Sequence, residues 1–238
     1  MKIQWARWIA LTSLVLCLSC ATRNSLLREH LKSLKSSEET VVVVFGDSFS
    51  CGTDATGIGS SYGAYLKPML AGLLGSSVSL INTSKEEESY RFAHRRIQED
   101  ILSFRPDIVL VMLGLYDFMA QGVLMATHRR NIDKFYSILK KYDAFVVVLT
   151  TPGPRNLLFP KDQLALKLEE INDLIRDYAR FYHYPVIDVA RYMEKLMMDD
   201  PEAYRSLFDT QVTFNEKGKK VIADFIYSRL LKILGTGS

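Results

Sequence analysis

The chain has 238 residues, of which 48% are hydrophobic and 11% aromatic, enough to close one well-buried core and few for two. Its 30 basic and 27 acidic residues leave a formal charge of +3. That balance, with no basic stripe interleaved with aromatics, excludes the electrostatic footprint of a nucleic-acid partner.

The first twenty residues have the layout of a signal peptide, because Lys2 and Arg7 precede an apolar run from Trp8 to Leu18 that ends in Ser19-Cys20-Ala21. The run is too short to span a bilayer as a permanent helix. Leu16-Cys17-Leu18-Ser19-Cys20 resembles a bacterial lipoprotein box, with leucine one place further from Cys20 than usual. The resemblance implies lipidation at Cys20, export to the bacterial cell envelope and attachment to a membrane through the lipid. Ordinary cleavage near Ala21 is the alternative. With Cys17 in the signal and Cys20 acylated, Cys51 is left as the one thiol, so no intrachain disulfide framework is expected.

Residues 21–40 read as a polar tether, with a leucine-bearing stretch (Leu26, Leu27, Leu31, Leu34) able to form a few helical turns. A single domain is expected over 41–238. Val41 to Phe45 is a β-branched run of the kind buried on both faces of a parallel sheet. A helix is predicted over Tyr62–Leu74, capped by Ser60 or Ser61 and stopped by Gly75, followed by a strand Val78–Asn82 and a helix Tyr90–Phe104 closed by Pro106. Then come a strand Ile108–Leu113, a helix Ile132–Lys141, a strand Phe145–Thr150, a long helix Asp162–Tyr182, a short strand Val186–Val189 and a last helix Asn215–Leu234. This alternation predicts a three-layer α/β fold, a five-stranded parallel sheet flanked by helices in the flavodoxin-like manner, with its site at the strands' carboxyl ends.

Directly past the first strand stands Gly46-Asp47-Ser48, which puts a serine hydroxyl on the turn at that edge. Gly46 permits a tight turn, and the Ser48 N–H is available to an oxyanion. Together with Arg105-Pro106-Asp107 before the third strand, Leu113-Gly114 ending it and Asn215-Glu216-Lys217-Gly218 opening the last helix, this block resembles the SGNH/GDSL hydrolases from about Val41 to Leu234. The resemblance implies an ester-hydrolase-like domain with Ser48 as nucleophile and Asp209 as the acidic partner.

The remaining machinery departs from the family. Its histidine base follows the aspartate by three residues, where this chain has Val212; counting back from Asn215 instead reaches Thr213. Neither has an imidazole. Glu87 falls where the family has an oxyanion-hole glycine, and Gly114-Leu115-Tyr116-Asp117 puts Tyr116 in place of the asparagine amide. A carboxylate beside a developing oxyanion is unfavourable, and a phenol hydroxyl lies too far from the backbone to replace that amide directly. Ser48, Glu87, Tyr116 and Asp209 are nevertheless expected to border one cleft.

His94 and His128 each head a His-Arg-Arg run, which reads as a solvated basic face, as Lys85–Glu88 reads as an exposed charge run. His30 in the tether and His183 before the fifth strand are not placed for chemistry, and Cys51 reads as a packing residue. No spacing suggests a metal site and no glycine-rich loop a phosphate, so no cofactor is expected. The expected function is therefore an exported lipoprotein whose esterase activity is lost or much reduced, leaving a cleft for an acylated lipid or glycan. The alternatives are an active serine esterase with its base relocated to His94 or His128, and a structural or adhesive envelope protein.

Overall fold

The protein is described by a computed structural model covering residues 25–35, 37–52, 61–156 and 163–234. The expected signal peptide and Cys20 lie outside the described residues. Five strands, β1 (Glu39–Gly46), β2 (Ser77–Asn82), β3 (Ile108–Met112), β4 (Val146–Leu149) and β5 (Val186–Ile187), form one sheet in the order β2-β1-β3-β4-β5. Every pairing is parallel, as predicted. Val42 to Phe45 and Val146 to Leu149 are buried throughout, because helices cover both faces of the sheet and leave no solvated side for polar alternation.

The chain order defines the helices. α1 spans residues 25–34, and α2 is the short helix Ser48–Cys51. α3 is Tyr62–Leu74, capped by the Ser61 hydroxyl accepting from Gly63 N–H and ended by Gly75 at φ 68°, both as read from the sequence. The predicted helix Tyr90–Phe104 is broken into α4 (Tyr90–Ala93), α5 (Ile97–Asp100) and a 3₁₀ turn, Leu102–Phe104. Ile101 leaves helical geometry (φ −128°, ψ −66°), and the Asp100 carbonyl accepts from the Thr83 hydroxyl at 2.8 Å. α6 (Leu115–Met119) was not expected, and α7 begins seven residues ahead of its predicted start, at Met125–Lys141. α8 (Gln163–Phe181) and α11 (Glu216–Leu234) match their predicted helices within a residue. Between them β5 ends at Ile187, and the chain turns at once into α9 (Val189–Asp199) and α10 (Pro201–Arg205).

The expected polar tether is corrected over 25–34. α1 is packed onto the domain, with Leu27, Leu31 and Leu34 buried and Leu26 exposed. The His30 ring stacks on Phe145 at 3.8 Å and its Nε2 meets the Asp107 carbonyl at 2.7 Å; Arg28 Nε donates to the Ile233 carbonyl at 2.7 Å. Leucines at 27, 31 and 34 share one helical face, so what read as a spacer is an amphipathic helix that finds its partner only in the folded domain. No helix among the described residues is long and apolar enough to cross a membrane.

Strand order reverses at β1, whose neighbours are β2 on one side and β3 on the other. In such sheets the crevice forms at the carboxyl ends of the strands on either side of that reversal. The loops leaving β1 and β3 carry Ser48 and Tyr116.

Candidate active site

The turn after β1 is held by backbone contacts that leave no room for a side chain. A Cβ on Gly46 would lie 2.4 Å from the Met112 carbonyl oxygen, so only glycine lets β1 reach β3 here. Asp47, fully buried, joins the two loops: one carboxylate oxygen accepts from Phe49 N–H at 3.2 Å, capping α2, and the other from Leu115 N–H at 3.1 Å. Burial pushes the Asp47 carboxyl up to about 7; the two N–H donors oppose this, and the nearby Asp117 carboxylate adds to it.

Ser48 follows, 5% exposed at the head of α2. Its hydroxyl oxygen lies 3.2 Å from the Tyr116 hydroxyl. The structure therefore brings together two of the residues singled out in the sequence, Ser48 and Tyr116, in direct contact. It also shows why a distant phenol can meet this serine: Gly114 at φ 137° turns the chain sharply after β3, and α6 carries Tyr116 back over the end of β1.

Glu87 lies at φ 57°, the left-handed region that favours glycine, in keeping with the glycine that the family resemblance implies at this position. Together with Tyr116, Asp117 and His128 it lines a cavity of about 600 Å³, whose lining does not include Ser48 or Asp209, so the cleft expected to join all four residues is corrected to Glu87 and Tyr116, with Ser48 reached through Tyr116. The Lys85–Glu88 run is not wholly a solvated loop, since Glu88 is buried and paired with Arg96, whose guanidinium also donates to the Thr83 carbonyl at 2.5 Å. An arginine eight residues on, beyond a helix break, was not a partner that local spacing could reveal.

Asp209 and Thr213 are placed differently. Asp209 is exposed, its backbone N–H donating to the Thr213 carbonyl at 3.0 Å, while the Thr213 hydroxyl is 2.7 Å from that of Thr210. Their segment reaches the site by packing, with Phe214 4.9 Å and Phe208 6.3 Å from the Phe49 ring, directly beside Ser48. The block that supplies a base in the family is thus seated at the serine's helix, carrying Val212 and Thr213 instead of an imidazole.

The reading of His128 as part of a solvated basic face is corrected. His128 is 2% exposed, its Nδ1 lies 3.4 Å from an Asp117 carboxylate oxygen, and Nε2 is buried without a protein partner among the described residues. The second Asp117 oxygen accepts from Tyr90 N–H at 2.9 Å. Asp117 and His128, eleven residues apart on α6 and α7, were missed as a pair; the visible signal was that His128 sits four and seven residues before the buried Ile132 and Phe135, on the inner stripe of α7. His94 is half-buried, and burial together with Lys134 and Arg95 lowers its pKa. Cys51 is partly buried, its thiol facing the Ser84 carbonyl at 3.6 Å.

The sequence profile of the GDSL-like lipase/acylhydrolase family matches residues 44–221. Among curated proteins, none matches the chain by sequence. Solved structures with a similar fold include an α/β hydrolase from the metagenome of Lake Arreo, Spain, at TM-score 0.69 and 21% identity over 84% of this chain and 96% of that one. The lipase/acylhydrolase from Enterococcus faecalis matches at TM-score 0.65 and 20% identity, over 81% and 95% of the two chains. An acetylxylan esterase from Geobacillus stearothermophilus matches at 0.64 and 16%, over 84% and 95%.

Proposed function

The chain belongs to the GDSL-like lipase/acylhydrolase family, and from that premise we propose that it is an exported, Cys20-anchored lipoprotein whose ester-hydrolase activity is lost or much reduced. Its cleft is left to bind an acylated lipid or glycan. The observation that carries this reading is the environment of Ser48: a nearly buried hydroxyl whose hydrogen-bonding partner is the Tyr116 phenol. A phenol is not a base at neutral pH, and a serine without one is a poor nucleophile. Loss of the histidine from a serine enzyme costs about a millionfold in turnover. Glu87 lines the cavity beside Tyr116, and the resemblance sets it at the family's oxyanion-hole glycine, where a carboxylate would be unfavourable.

The cavity beside Tyr116 supports a binding role over a purely structural one, since a scaffold has no need of an open cleft. The acetylxylan esterase of similar fold makes an O-acylated glycan one candidate ligand. A second reading, a working hydrolase with a relocated base, draws on the His128–Asp117 pair, which shares the cavity wall with Tyr116.

Hydrolysis of short-chain aryl esters separates the two. Wild type is expected near background, and Ser48→Ala is expected to change nothing. Robust turnover abolished by both Ser48→Ala and His128→Ala overturns the proposal and establishes the relocated base.

A further inference from the structure

α1 has a position that bears on what the cleft can reach. Two side-chain contacts from it fall on Asp107, which leads into β3, and on Ile233, at the end of α11, while His30 stacks on Phe145, which leads into β4. Asp107 and Phe145 mark the amino edge of the sheet. Ile233 lies there too, because α11 starts beside Phe49 at the carboxyl edge and runs back antiparallel to the strands. The buried Leu27, Leu31 and Leu34 hold the helix in this seat. Ser48, Tyr116 and the cavity lined by Glu87, Leu124 and His128 lie at the opposite, carboxyl edge.

Cys20 precedes the first residue of α1 by five positions, which a fully extended chain spans in at most about 18 Å. The eight residues of β1 alone separate the two edges by about 23 Å. A domain of about 200 residues has a radius of gyration near 16 Å, so a strand of chain passing around it from pole to pole must cover about 65 Å. The link from Cys20 is too short for that.

We propose that α1 fixes the anchored domain with its cleft facing away from the bilayer that holds it, so that the ligand is a water-borne polymer bearing acyl or hydroxyl groups and not a lipid of that bilayer. This rests on the lipid anchor of the preceding section. The cavity walls suit such a ligand: Glu87, Arg91, Thr127 and Asn131 offer donors and acceptors for hydroxyl and carbonyl groups beside the apolar Val123 and Leu124.

The test uses the mature acylated protein, purified from the membranes of a bacterial host and reconstituted into phosphatidylethanolamine–phosphatidylglycerol vesicles that contain a nitroxide-headgroup lipid as quencher. In a Cys51→Ser background, one variant carries a fluorophore at Glu29→Cys on the exposed side of α1 and another at Leu124→Cys on the cavity rim. The Glu29 label is expected to be quenched several-fold more strongly than the Leu124 label. Equal or stronger quenching at Leu124, in protein that sediments with the vesicles, overturns the orientation and leaves the anchor standing. Protein that does not sediment, and whose partition is the same after Cys20→Ala, overturns the anchor and the orientation with it.

Discussion

Asp47 is the residue on which the geometry of the site turns, because the same carboxylate caps α2 and holds the loop after β3. It does so at a cost, since burial lifts it to about 7 from an unfolded value of 3.8. The sign follows from proton binding. Between those two pH values the native state retains a proton that the unfolded chain has released, so this contribution to stability is full below 3.8 and is lost as pH rises towards 7. Wild type is therefore expected to lose stability from this group on going from pH 4 to pH 7, by an amount on the order of a few kcal/mol. Asp47→Asn, which keeps an oxygen acceptor and removes the titration, should flatten that slope. Chemical denaturation across the range measures it, and an unchanged slope in the variant refutes the assignment to Asp47.

At the scale of elements, the far side of the sheet is tied by one arginine. Arg176 on α8, buried, makes a two-pronged pair with Asp188 through Nε at 2.9 Å and Nη2 at 3.0 Å, while Nη1 reaches Glu169 and Asp173, each at 2.8 Å. Asp188 in turn caps α9 and accepts from the Thr150 hydroxyl at the end of β4. Burial alone would push Asp188 up; the hydrogen bonds and charge of Arg176 more than offset it and hold the carboxyl below the usual range. Removing the guanidinium leaves the partly buried Asp188 carboxylate with only the exposed Arg191, 3.6 Å away, as its ionic partner at a junction of four elements. Arg176→Ala is expected to destabilise the protein by about 3–5 kcal/mol, the usual cost of breaking a buried pair from one side. The exposed Lys195–Asp199 pair at 2.5 Å should contribute under about 1 kcal/mol, so Lys195→Ala is the control.

For the whole molecule, α1 closes the amino edge of the sheet and belongs to the core. Leu31 is fully buried within the main apolar cluster, so Leu31→Ala should cost about 2–5 kcal/mol, depending on how far the site collapses. Leu26 on the same helix is 54% exposed, and its replacement by alanine should change stability by less than about 0.5 kcal/mol. Thermal unfolding of the two variants distinguishes a docked helix from a spacer, for which both substitutions would be silent.

The β-branched runs, the Ser61 and Gly75 caps, and Gly46-Asp47-Ser48 were legible in the sequence because each depends on local chemistry: strand composition, capping and a turn that only glycine allows. The missing imidazole was legible for the same reason, as a gap at Val212 and Thr213 in a block of known spacing. The breaking of the helix after Tyr90, the burial of Glu88 against Arg96, the pairing of His128 with Asp117, and the docking of α1 were not. Each is decided by partners brought from another element, and a histidine beside two arginines has the same local pattern whether its ring faces water or a buried carboxylate. Most consequential is the Ser48–Tyr116 contact. The sequence set Tyr116 in the same cleft as Ser48, but that its hydroxyl comes within 3.2 Å of the serine's depends on α6 carrying it back across the switch point of the sheet, and only the tertiary structure contains that return.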